Sequence, residues 1–138
     1  MERRREVNRK VFLFSFLLLL VFSLSIFYGC GKDINKLPTL GNPSEKAKLA
    51  DPPSLSVSPA RLSGKRIKIV LTYQREKNAD KEFYRLLWMT SGTARFNVEV
   101  KRGTYDDFVQ TMQIGNEYLI YGRFEYDLES QRNNIYVD

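Results

Sequence analysis

The sequence predicts a small, mainly β domain over residues 66–138, with five strands and one short helix between the third and fourth. An apolar signal helix and a proline-rich tether precede it. Three observations predict this. Composition changes abruptly at Arg66, after which twelve aromatic side chains and no proline occur in 73 residues. Apolar residues there recur at a period of two, as in a strand with one buried face. Between Gly103 and Ile114 that period lengthens to the helical one.

Taken in order, Ile67, Ile69, Leu71 and Tyr73 alternate with Lys68, Val70 and Thr72 as the first strand, and residues 74–81 read as a charged loop. Residues 83–90 form the second, with Phe83, Arg85, Leu87 and Met89 on one parity and Tyr84, Leu86 and Trp88 on the other. Ser91-Gly92 supplies hairpin turn chemistry. In the third strand Ala94, Phe96, Val98 and Val100 enter the core, while Arg95, Asn97, Glu99 and Lys101 meet water. Gly103 ends it. Thr104, followed three residues later by Asp107, matches a capping signature, and the acidic pair Asp106-Asp107 suits the positive end of a helix. Tyr105, Phe108, Val109 and Met112 fall at helical spacing over two to three turns. Residues 117–126 make the fourth strand, with Gly122 placed for a bulge or sharp coil. After a polar loop at 127–133, Ile135 and Val137 form the last strand.

Three strands, a helix and two strands: this order resembles the OB-fold, a five-stranded Greek-key β-barrel. The stretch GNEYLIYGR at 115–123 is similar to the entry into the fourth strand of such barrels. An open α+β sheet is the alternative. The resemblance implies a ligand face on strands two and three, framed by the loops joining strands one to two and four to five. By parity, the candidate ligand-binding residues on that face are Phe83, Arg85, Arg95 and Asn97, joined by Tyr121 and Arg123 from strand four. Arginines beside exposed rings grip an anionic polymer, because rings stack and guanidinium groups pair with phosphate or carboxylate. The same pattern also describes an ordinary solvated strand face.

Residues 1–30 read as an export signal. Arg3, Arg4, Arg5, Arg9 and Lys10 hold the N-terminal end in the cytoplasm, an uncharged apolar run follows from Val11, and the only cysteine, Cys30, closes it directly after Gly29. Phe27-Tyr28-Gly29-Cys30 resembles the lipobox of bacterial lipoproteins, with Phe27 standing where Leu is usual and Tyr28 where Ala or Ser is. The resemblance implies cleavage between Gly29 and Cys30 and lipidation of Cys30 with fatty-acyl chains such as palmitate. It places the rest of the chain in the cell envelope, outside the cytoplasm and membrane-anchored. Gly31 is not acidic, which by analogy favours the outer over the inner membrane. The alternative is an uncleaved single-span protein serving as a structural subunit of an envelope complex, since 19 uncharged residues approach the roughly 20 that a span requires. Residues 31–65 carry all five prolines and no aromatic side chain, so they read as a flexible tether, with residues 55–62 as a lead-in strand or short helix.

The formal charge is +6, yet beyond Cys30 it comes to 17 basic against 14 acidic side chains, or +3. So slight an excess disfavours a nucleic-acid partner and leaves an envelope protein, peptide or glycan as the expected one. With no histidine and one cysteine, the chain cannot build a disulfide, a Ser-His-Asp triad or a Cys/His zinc site. The expectation is a non-enzymatic binding or assembly module with no catalytic residue, metal or cofactor. A hydrolase working with carboxylates alone is the residual enzymatic option. Asp106-Asp107 read as a cap, because adjacent helical side chains diverge. Asp127 and Glu129 offer too few oxygens for calcium. Ser63-Gly64-Lys65-Arg66 has Pro59 where a phosphate loop needs glycine. Trp88 reads as core and rim packing.

Overall fold

The computed structural model describes residues 31–50, 55, 58–77 and 82–138. The signal segment and its lipobox-like end, Gly29 and Cys30 included, lie outside the described residues. Asp33–Asp138 forms one compact unit. Its strands are β1 (Thr39–Leu40), β2 (Lys48–Leu49), β3 (Arg66–Lys77), β4 (Tyr84–Ser91), β5 (Ala94–Lys101), β6 (Glu117–Asp127) and β7 (Arg132–Val137), with helix α1 (Asp106–Thr111) between β5 and β6.

Alternation does what it predicts in the strands. Ile67, Ile69 and Leu71 of β3, Leu87 and Met89 of β4, Val98 and Val100 of β5, Phe124 of β6 and Ile135 of β7 are all fully or almost fully buried. The sheet runs β3-β4-β5-β7-β6, and β6 returns to pair antiparallel with β3 over Arg66↔Arg123 to Thr72↔Glu117, so the five strands close on themselves. β5 and β7 are parallel and the other barrel pairs antiparallel. This is the five-stranded, mainly β barrel with one short helix that the OB-like element order predicts, and the open-sheet alternative is excluded.

α1 covers one end of the barrel with Val109, followed by Met112, while Phe108 meets the Tyr118 ring edge-on at 6.0 Å. The capping differs from expectation. Tyr105 is the N-cap and makes no side-chain cap, while Asp106 Oδ2 accepts the Gly103 N–H at 2.9 Å. The turn is held from inside the helix, and Thr104 is not its N-cap. Gly122 does not sit in a bulge, because β3 and β6 stay in register through Ile67↔Gly122. It is a close crossing: a Cβ there would stand 2.6 Å from the Tyr136 carbonyl oxygen.

Two expectations fail in ways that shape the molecule. The tether is not free over residues 33–50. β1 pairs parallel with β6 (Thr39↔Leu119) and β2 parallel with β3 (Lys48↔Ile67). β3 and β6 are longer than their barrel neighbours and leave edge groups open, and these are filled by Leu119 N–H to Pro38 O at 3.0 Å and Ala50 N–H to Lys68 O at 2.9 Å. Leu40 is fully buried in the main core, and Leu37 and Ala47 pack on Leu119, Tyr121 and Val70. A few apolar residues among prolines suffice because they dock on a surface already built, so their ordering entropy is offset by edge hydrogen bonds and buried area.

The second failure concerns the first loop, because β3 continues to Lys77. Tyr73 pairs with Met89 but Arg75 pairs with Trp88, so Gln74 is an extra residue, a β-bulge. A shift of one residue exchanges the faces of everything beyond it. Arg75 and Lys77, which would otherwise follow Tyr73 inward, turn outward, and Glu76 takes the inward row.

Candidate functional site

The bulge delivers cations to Trp88. Standing half-buried on the outer face of β4, Trp88 has Arg75 Cζ 4.8 Å from its ring centre, Arg95 Cζ at 5.6 Å and Lys77 Nζ at 5.7 Å. Arg132, at the start of β7, lines the same hollow of about 360 Å³. A second hollow, of about 670 Å³, lies toward the β4–β5 hairpin and shares Arg75, Trp88 and Arg95 with the first. Together they make an open groove with one indole at its middle. Among the described residues, no carboxylate lines either hollow.

The groove is braced by amides. Lys77 Nζ donates to Asn97 Oδ1 at 2.8 Å, Asn97 Nδ2 donates to Asn134 Oδ1 at 3.2 Å, and Asn133 Nδ2 donates to the Arg95 carbonyl at 3.1 Å. Gln74, the bulged residue, donates through Nε2 to Thr90 Oγ1 at 3.0 Å. Burial, and then the nearby Arg132 and Arg75 guanidiniums, hold the Lys77 ammonium below the ordinary lysine range. Cations crowded in this way repel one another, and an anion placed among them relieves that strain.

The residues singled out from sequence divide. Arg95 and Asn97 lie on the outer face of β5 beside Trp88. Arg85 does not. It shares its row with the buried Leu87 and Met89, is 13% exposed, and lies 3.1 Å from Asp106 and 3.7 Å from Glu76 at the barrel end that α1 covers. The expected outward position fails because Leu87 and Met89, both fully buried, take that row into the core, whereas Phe83 precedes β4 and is 76% exposed. Tyr121 is buried under the lead-in segment with Ala47 and Leu119. Arg123 faces outward on β6, 3.1 Å from Glu125 and 5.3 Å from the Tyr136 ring. That neighbourhood is acidic: burial, and then Glu99 and Glu125, push the Tyr136 phenol up. Trp88, expected in core and rim packing, instead stands in the groove, and Arg75, Lys77 and Arg132 join it there although none of them is a candidate by sequence. The expectation sets Phe83 and Arg85, and so not Trp88, on the outward parity of the second strand and leaves Arg75 and Lys77 in a loop, and the bulge that turns those two has no signature in composition.

Among the described residues, no helix is long and apolar enough to cross a membrane, and no three acidic, cysteine or histidine side chains gather as a metal site would require.

No protein-family model matches the chain, and no curated protein matches it either. Solved structures do. An aspartyl-tRNA synthetase from Entamoeba histolytica superposes with a TM-score of 0.52 at 17% identity, over 74% of this chain and 26% of that one, so the likeness spans about a quarter of the synthetase. A candidate nucleic acid-binding lipoprotein from Klebsiella pneumoniae gives a TM-score of 0.52 at 14% identity, over 69% of this chain and 95% of that one. At such identities the likeness speaks for the fold, and with the β3-β4-β5-β7-β6 closure it establishes a small barrel of OB type.

Proposed function

We propose that the protein is a cell-envelope lipoprotein, anchored through Cys30, whose barrel is a non-enzymatic module binding single-stranded nucleic acid on the Trp88 groove. The observation that carries the binding reading is the cluster of Arg75, Lys77, Arg95 and Arg132 around one accessible indole, with no acid lining the groove among the described residues. Bases stack on an aromatic face, and phosphates follow a line of cations without regard to sequence. The groove lies where the OB fold carries its ligands, on the second and third strands of the barrel. The low net charge that disfavoured a nucleic acid is an average over the chain, whereas recognition depends on the local cluster. Support for the envelope comes from the lipobox-like sequence and from the distant Klebsiella pneumoniae lipoprotein, which is also named for nucleic-acid binding.

A second reading, an acidic glycan, draws on the Asn97–Asn134 amide pair, since amides suit sugar hydroxyls, and on the extracytoplasmic address. One titration separates the two. Trp88 is the chain's only tryptophan, so its fluorescence reports this groove alone. Oligothymidylate is expected to quench it with an affinity falling steeply in salt, by a log–log slope of about −2 to −3 for four cations on a single strand. Quenching by polygalacturonate and not by oligothymidylate would favour the glycan, and quenching by neither would overturn the site. Fatty-acid labelling in cells that depends on Cys30, absent from Cys30→Ser, tests the anchor separately.

A further inference from the structure

The compact unit begins at Asp33, so a lipid on Cys30 would be joined to it through Gly31 and Lys32 alone. Three peptide steps reach about 10 Å at full extension, which is headgroup scale and far short of the 35-residue spacer that composition indicates. We infer that the barrel rests directly on the membrane, docking its lead-in face on anionic lipid headgroups; this rests on the proposed lipidation of Cys30.

The composition of that face carries the choice of occupant. Leu37 and Ala47 point into the small cluster on Leu119 and Tyr121, so the exposed neighbours Lys36, Lys46 and Lys48 stand on the outer side of the same segment. Leu49, 58% exposed, follows Lys48 and pairs with Lys68 of β3. Residues 31–50 hold four lysines against Asp33 and Glu45, a balance of +2 that the Asp33–Lys36 pair at 3.8 Å leaves unchanged. A basic segment with one projecting leucine, tied close to an acyl anchor, suits a negatively charged lipid surface, where each lysine adds attraction and the anchor supplies the high local concentration. The lead-in covers β6 and the first half of β3, whereas Trp88 and its partners Arg95 and Asn97 belong to β4 and β5 across the barrel. Docking this face therefore leaves the groove open to the surroundings.

The test uses the chain from Cys30 onward, its single thiol coupled to a maleimide-bearing lipid in vesicles. One set is phosphatidylcholine, and the other contains about one quarter phosphatidylglycerol. Lysine acetylation is then followed residue by residue by mass spectrometry. On the anionic vesicles Lys36, Lys46 and Lys48 are expected to react about threefold or more slowly relative to Lys101, an exposed lysine of β5, with no such slowing on phosphatidylcholine. In the double variant Lys46→Glu, Lys48→Glu, protection of Lys36 should disappear. Equal reactivity on both vesicle types, or protection of Lys36 that survives the double variant, overturns the docking face. Because coupling here is chemical, the vesicle result reads the docking face by itself, and the fatty-acid labelling in cells reads the anchor on which it rests, so failure of one is distinguishable from failure of the other.

Discussion

Arg85 and Arg95 are both arginines on neighbouring strands, and their surroundings give them opposite roles. Arg85 lies between Asp106 and Glu76 with 13% of its side chain exposed, so removing it strands two carboxylates beside the core. Both partners keep about a third of their surface in water, which screens the pair and keeps the cost below that of a fully buried one. Arg85→Ala is expected to destabilise by about 1–3 kcal/mol and Arg95→Ala by no more than about 0.5 kcal/mol, read from urea unfolding. Lys77 is a third case. Its folded pKa lies below the ordinary 10.5, so the charged form weakens the folded state at neutral pH, and the penalty is relieved as pH rises through the lowered value. A phosphate in the groove reverses the preference and raises that pKa. Binding should therefore take up a proton at alkaline pH, and affinity for oligothymidylate should fall as pH rises through the lysine's lowered pKa; Lys77→Met should abolish that dependence.

Among the elements, the lead-in and the β3 bulge were the least legible in sequence, for different physical reasons. Strand alternation such as Phe96, Val98, Val100 is a local property, visible in any window of eight residues. A bulge is set by which partner each residue faces, and Gln74 resembles an ordinary polar strand residue until Met89 and Trp88 are laid opposite. The lead-in has too few apolar residues to make a core, and its order comes from edges that only the closed barrel creates. Leu40 is its deepest anchor, and Leu40→Ala is expected to cost about 2–5 kcal/mol. Gly41 is also constrained: its φ is +97°, and an added Cβ would collide with the Tyr121 carbonyl oxygen. Gly41→Ala should lower the melting temperature in step with Leu40→Ala. If both variants melt like the wild type, residues 33–50 do not belong to the folded unit.

For the whole molecule, the signs of charge are sorted over the barrel surface. The bulge sends Arg75 and Lys77 to Trp88 and sends Glu76 to Arg85, while Glu99, Glu125 and Arg123 surround Tyr136 toward the other end of β7. Overall charge conceals this, which is why composition pointed away from a polyanion and geometry points toward one. The architecture itself was legible, since element order alone anticipated the OB-like closure. Of the proposed groove, only Arg95 and Asn97 were legible in sequence, because the alternation of β5 runs without interruption. The most direct test is a backbone and indole NMR titration of the folded domain with oligothymidylate. Shift changes are predicted to concentrate on Arg75, Lys77, the Trp88 indole N–H, Arg95, Asn97 and Arg132. Saturable changes confined instead to the β6–β7 face around Arg123 and Tyr136, with the Trp88 indole unmoved, would contradict the account.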